Sequence, residues 1–339
     1  MSKWLTQLRK KDGAVNFKEK TDIRLKTKSP GINYLFGKKG GMKAGYSMLL
    51  YGPAKSGKSL ISMAYAGELH MNDPEAIVLH FDTEMRSNLG TWTEAFGIDP
   101  ERIVSYATNK PDEIFDFIAN DVAAMIQEGA PIKMIIVDSL AGILYPKEAN
   151  KESSTDFVMG DAGAYLAGAL KMILPVVRNN NIATILCQHV RENFNPNEAK
   201  YRPFVIPGGR ALKHFAEYFC LVQKIQSKDS AEFSEQLKDG SGNAITTGHT
   251  IRVKMEESSD GPSNRSAEIF LDYAKGFTHA HVEIAELCKN MNIVERPNNT
   301  SYVVDGVKYV GFGAFCSAIK DDEELRIKLI NKLRENDPL

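Results

Sequence analysis

Residues 52–59 read Gly52-Pro53-Ala54-Lys55-Ser56-Gly57-Lys58-Ser59, which fits the pattern G-x-x-x-x-G-K-[ST]. Its glycines let the backbone curl until several N–H groups converge on one point, where an anion is held. In this pattern the lysine, Lys58, reaches the β- and γ-phosphate oxygens of a nucleoside triphosphate, and the Ser59 hydroxyl holds Mg²⁺. Tyr46-Ser47-Met48-Leu49-Leu50-Tyr51 reads as a strand entering the loop, and Leu60-Ile61-Ser62-Met63-Ala64-Tyr65-Ala66 as a helix leaving it. A helix begun there aims the positive end of its dipole at the phosphates.

Outward from the loop, strand-like and helical runs alternate between Ser29 and about Asp272. Met134–Val137 is continuously apolar and Ala76–Phe81 and Ile182–Cys187 nearly so, whereas Pro111–Gln127 and Ala162–Val177 carry helical periodicity, and Ala211–Phe219 reads as a further helix. Strands apolar on both faces and separated by helices predict a mostly parallel sheet covered on both sides. Phe219–Gln226 and His249–Met255 alternate instead, which predicts an edge meander. Residues 273–339 read as a small separate α/β lobe: a helix over His281–Asn290, a hairpin over Tyr302–Val310 and a helix over Asp321–Leu333. The expected division is a basic arm (1–30), an ATPase-type core (31–272) and this lobe.

The chain has 339 residues, is 43% hydrophobic and 25% charged, and carries a formal net charge of -1. Those values describe a soluble globular protein and leave nucleic-acid binding to local patches rather than overall charge. Its four cysteines are far apart and form no C-x-x-C pair, so reduced, buried thiols of a cytoplasmic protein are expected rather than a disulfide or zinc framework. No apolar stretch approaches the ~18 residues of a membrane span. Residues 1–30 hold nine Lys/Arg against three acids; they read either as a solvated leader or as a subunit clasp or DNA-steering patch.

Three polar residues end apolar strands downstream of the loop. Asp138 stands where a carboxylate joins the Mg²⁺ shell. Glu84, in Phe81-Asp82-Thr83-Glu84, is placed to orient and deprotonate an attacking water. Gln188, in Cys187-Gln188-His189, is placed to touch the γ-phosphate. Ligands of open parallel sheets gather at such strand ends.

In this order the motifs resemble the RecA/UvsX family of homologous-recombination ATPases. The resemblance begins with Lys26-Thr27-Lys28-Ser29-Pro30-Gly31-Ile32-Asn33-Tyr34-Leu35-Phe36-Gly37 and takes in Ile136-Val137-Asp138-Ser139-Leu140 and Pro207-Gly208-Gly209-Arg210-Ala211-Leu212-Lys213. It implies a RecA-type P-loop fold and ATP and Mg²⁺ as cofactors. Single-stranded DNA and then homologous duplex are the implied partners, met by a helical homo-oligomer with ATP at its subunit interface. Single-strand-binding and loader proteins would assist. It makes Glu84 the catalytic glutamate and Gln188 the sensor of nucleotide state, and sets Trp92 near an adenine ring, although helix packing explains Trp92 equally well.

Two loops follow the polar strand ends. Tyr145–Gly160 ends in Phe157-Val158-Met159-Gly160. Arg191–Gly209 mixes Arg191, Lys200 and Arg202 with Phe194, Tyr201, Phe204, Val205 and Ile206, a combination suited to tracking phosphates and separating stacked bases. By resemblance, Met159 and one of Phe204, Val205 or Ile206 would wedge between bases, while Lys171, Gly208, Gly209 and Arg210 approach phosphates. Where bacterial members present two lysines to the neighbouring subunit's ATP, this chain has Glu257 and Ser259; Asp260-Gly261-Pro262 resembles the Asp-x-Pro cap of archaeal and eukaryotic recombinases. The short arm and the absence of a long acidic tail suit a phage-type member working in the host cytoplasm. Two other readings are a ring-forming motor, such as a replicative helicase, and a nucleotide-gated regulatory protein.

Overall fold

The apolar runs around residues 52–59 are strands whose odd and even residues feed different cores. In the computed structural model, which describes residues 22–145, 159–201, 203–225, 241–242 and 246–338, β1 is Ser47–Gly52. Met48 and Leu50 enter one buried cluster, and Leu49 and Tyr51 enter another on the opposite face. This is the period of two that a pleated strand imposes. It recurs in β2 (Ile77–Asp82), where Val78 faces one way and Leu79 and Phe81 the other.

Further along the chain come β3 (Ile103–Tyr106), β4 (Ile132–Asp138), β5 (Ala183–His189), β6 (Tyr218–Ile225), β7 (Gly248–Ser258), β8 (Arg265–Asp272) and β9 (Gly276–Phe277). They form a nine-stranded sheet in the order β9-β8-β7-β6-β1-β5-β4-β2-β3. From β6 through β1 to β3 every pair is parallel; β6 to β9 pair antiparallel as the expected edge meander. Helices α1 (Lys58–Asn72), α2 (Leu89–Phe96), the helical stretch Asp112–Gln127 and α3 (Met159–Asn179) fill the crossovers.

Several boundaries differ from the sequence reading. The helix expected over Ala211–Phe219 is α4 (Gly209–Phe215), because Ala216 turns extended and Tyr218 already pairs with Met48 of β1. Strand β3 and helix α2 have no counterpart among the expected elements. Part of Arg191–Gly209 is ordered: Arg191–Glu192 pairs antiparallel with Phe204–Val205, and Pro196–Ala199 makes a helical turn.

The C-terminal residues build their own small core from α5 (Ala280–Asn290), a three-stranded antiparallel sheet, α6 (Phe312–Asp321) and α7 (Glu323–Glu335). Phe315 lies stacked on Tyr302 at 5.1 Å, over Ile284, Leu325 and Leu329. Asp322 caps α7 by accepting from Leu325 N, with Glu323 and Glu324 in the first turn, the order that suits the helix dipole. Two buried polar contacts fasten the lobe to the larger domain. Glu283 accepts from Ser29 Oγ (2.6 Å) and Gly31 N (2.9 Å). Arg265 of β8 grips both Asp337 oxygens at 2.5 and 2.6 Å. Among the described residues no helix is long and apolar enough to cross a membrane.

Candidate nucleotide site and nucleic-acid loops

The loop after β1 owes its path to its glycines. A Cβ at Gly52 would lie 2.0 Å from Val222 O, so only glycine lets β1 and β6 run this close. Gly57 has φ 99 and opens α1 with no capping side chain, leaving the helix's first N–H groups facing the loop. Lys58 is buried, and its ammonium donates to Gly52 O (3.0 Å) and Pro53 O (2.8 Å). Burial pushes its pKa down, partly offset by Cys187 and Asp138. The buried Ser56 Oγ has no hydrogen-bond partner among the described residues.

A helix start with no capping side chain, a desolvated ammonium held by two carbonyls and an orphaned hydroxyl fit a triphosphate. Ser59 is half-buried beside Lys58, and Asp138 is half-buried at the end of β4. Among the described residues no group of three or more His, Cys, Asp or Glu could hold a metal. One hydroxyl and one carboxylate are nonetheless the usual protein share of a Mg²⁺ whose remaining ligands are phosphate oxygens and water.

Sheet order sets the rest. β5 lies beside β1, with Tyr51 level with Gln188 and Gly52 level with His189. β4 and β2 follow, with Asp82 level with Asp138. The four strand ends therefore lie side by side. Thr83 locks the last two together: its Oγ1 accepts from Ser139 N (2.9 Å) and donates to Ser139 O (2.6 Å). Asp82 accepts from Ser87 N at 2.7 Å, which folds the turn carrying Glu84. Glu84 Oε1 accepts from Ser139 Oγ (2.9 Å) and meets His189 Nε2 (2.7 Å), and Arg86 pairs with Oε2. Gln188 Nε2 donates to Pro207 O at 3.0 Å, tying the strand end to the second loop. Trp92, on α2, packs half-buried against the first core cluster.

Of the second loop's apolar residues, Phe194 (86% exposed), Tyr201 (79%) and Val205 (45%) face solvent. Phe204 and Ile206 are half-buried and pack on the second core cluster. Gly208, with φ 71, sits at the start of α4, and Gly209 N donates to Ile206 O at 3.1 Å. Lys171 is exposed on α3, and Arg191 is exposed at the loop's start. Residues 1–21 of the arm, 146–158 of the first loop, all of Arg202, and the side chains of Met159 and Arg210 lie outside the described residues.

The end of β7 and the turn after it are engaged within the chain. Glu257 accepts from Lys213 Nζ at 2.6 Å, and Tyr51 OH donates to Glu256. Asp260 accepts two bonds from Arg24 and one from Tyr218 OH, all at 2.9 Å. Arg265 is committed to Asp337, whereas Lys254 is 40% exposed and stands 3.6 Å from Glu256.

A sequence model of the RecA N-terminal domain matches residues 8–278. The chain belongs to the RecA family. It is similar to Protein RecA of Mesomycoplasma hyopneumoniae, at 27% identity over 257 residues that cover 76% of this chain and 69% of that one. Protein RecA of Bacillus subtilis is 21% identical over 321 residues, 94% of this chain and 85% of that protein. That of Macrococcus caseolyticus is 24% identical over 330 residues, covering 96% and 86%. Against this RecA frame, Arg86, Ser139 and His189 are the site residues that motif reading passed over. Their signal was position: each sits within two residues of a strand-end Glu, Asp or Gln.

Proposed function

We propose that the chain is a DNA-dependent ATPase that assembles as a helical filament on single-stranded DNA and exchanges strands with homologous duplex. The observation that carries this reading is the Gln188–Pro207 bond, because it joins the end of a nucleotide-site strand to the loop that mixes cations with exposed aromatics. Lys58 and the loop amides would hold the phosphates, and Glu84 would orient and deprotonate the attacking water. Mg²⁺ on Ser59 and Asp138 would neutralise charge on the β- and γ-phosphate oxygens. Single-stranded DNA would track Arg191, Lys200, Arg202, Arg210 and Lys171, with bases stacked on Phe194 and Tyr201. Trp92 would border the adenine.

Residues 31–272 form the ATPase core in this reading, 273–339 the accessory lobe and 1–30 a subunit contact or DNA-steering arm, in a cytoplasmic filament helped by single-strand-binding and loader proteins. Relatives named Protein RecA argue against a ring-forming helicase. Electron microscopy of the protein with single-stranded DNA and a non-hydrolysable ATP analogue tests the proposal. Continuous helical filaments on lengthened DNA are expected; closed rings would refute it.

A further inference from the structure

The larger domain and the lobe meet around a cavity of about 240 Å³, set between the helical turn Pro30–Tyr34, the bend Gly37–Gly40, α5 and α7. No residue of the nucleotide site or of either polar loop lines it. Its floor is apolar: Leu287 and Leu333 are buried there, and Tyr34 and Ile330 half-buried. Its walls are fixed from both sides. Arg265 donates to Tyr34 O at 3.1 Å, holds its guanidinium 4.5 Å from the Tyr34 ring centre and binds Asp337 beyond the end of α7. Glu283 fastens α5 to Ser29 and Gly31. The mouth is cationic. Lys26, Lys38 and Arg334 are exposed around it and form no ion pair among the described residues, while Lys28 stands 3.9 Å from Glu68. The one acid in the lining, Asp337, is spent on Arg265. Partial burial, then Arg334 and Arg24, push the Lys26 pKa down, the mark of clustered positive charge with no anion to offset it.

We propose that this cavity is the docking site for an acidic segment of a partner protein, whose carboxylates meet Lys26, Lys38 and Arg334 while one large apolar side chain fills the floor. Size and charge together select this occupant. At about 240 Å³ the cavity is smaller than the ~300–1,000 Å³ pockets that enclose a whole small molecule, but it has room for a single anchoring side chain. A buried apolar anchor inside a polar rim is the usual way a short segment gains affinity, and a rim of one sign steers a partner of the other. The chain's own first thirty residues are a poor occupant, since they hold nine Lys/Arg against three acids and would meet a rim of their own sign. A phosphodiester strand would satisfy the cations but has nothing to set on the floor unless a base leaves its stack, which is costly.

The test uses the full chain and a short fluorescein-labelled peptide of aspartates flanking one phenylalanine, read by fluorescence anisotropy. Binding to wild type should saturate at micromolar protein and weaken steeply with added salt. Replacing the peptide's phenylalanine by alanine should weaken it about tenfold or more, so the anchor is read without changing a buried residue of the chain. The double variant Lys26→Glu with Arg334→Glu should weaken it more than tenfold, because two attractive contacts become repulsive. Both positions are exposed, so the melting temperature should stay within about two degrees of wild type. A labelled DNA duplex should bind wild type and the double variant within about twofold of each other, and sedimentation velocity without nucleotide should show the same self-association for both. Peptide binding that is absent, indifferent to the phenylalanine or indifferent to the double variant overturns the proposal. Loss of duplex affinity in the double variant would make the occupant nucleic acid, and loss of self-association would make it a second copy of this chain; either result overturns it too.

Discussion

Replacing Glu283 by glutamine should stabilise the protein at neutral pH and above and leave it nearly unchanged only below about pH 4.5. Glu283 is fully enclosed between α5 and the Ser29–Gly31 turn, and burial lifts its pKa from 4.5 to about 7 despite bonds from Ser29 Oγ and Gly31 N. Its second oxygen has no hydrogen-bond partner among the described residues. The folded chain thus binds this proton more tightly than the unfolded chain does. The associated stability is complete below pH 4.5 and is lost as pH rises through about 7. At about 1.4 kcal/mol per pH unit, the ionised carboxylate costs the folded state ~3 kcal/mol by pH 8. Spread over the unfolding entropy of the whole chain, that is about 4 °C in Tm. Glutamine has no proton to lose and can still accept from Ser29 and Gly31. Differential scanning fluorimetry of both proteins from pH 4 to pH 8 should show the Tm gap opening in favour of Glu283→Gln between about pH 4.5 and about pH 7 and levelling off above that. His281, whose pKa is pushed down to about 4 by burial and by His279, is common to both chains and cancels in the difference. A gap that stays flat within about a degree would refute the argument.

Lys58→Ala should abolish ATP turnover while the fold survives by circular dichroism, since it removes the cation that meets the transferring phosphoryl group; substantial remaining turnover would exclude this site. Phe194→Ala and Tyr201→Ala should each weaken oligo(dT) binding by one or two decades, at on the order of 1–3 kcal/mol per stacked base, with ATP affinity preserved. Phe204→Ala should lower Tm instead, because its ring packs on the core; equal affinity losses at all three positions would contradict this division. Gly67→Ala should fold poorly or melt early, because its Cβ would lie 2.0 Å from Phe96 O where α1 and α2 touch; an unchanged melting curve would show that α2 can move away.

Much of the nucleotide site was legible in the sequence because its chemistry is local. Eight consecutive residues specify the phosphate loop, and a carboxylate or amide that ends an apolar run must emerge at a strand's end. The family frame followed from the order of those motifs. Strand β3 escaped notice because Val104 and Ser105 are exposed on an edge, which erases the buried-strand pattern. The end of the helix before β6 was misplaced because Tyr218 and Phe219 suit a helix face as well as a strand, and pairing with β1 decided between them.

The sequence by itself determined which residues are candidates for phosphate, metal, water and DNA, since residue type and strand-end spacing carry that information. Only the tertiary structure decided which of them act together. The order β1-β5-β4-β2 sets four distant chain segments side by side, and no local pattern encodes that order. That order brings His189 to Glu84 across 105 positions of sequence, while packing elsewhere divides the second loop into rings that pack and rings that face solvent and commits Arg265 to Asp337. Burial and hydrogen-bond geometry belong to pairs of segments, so they exist only once the chain has folded.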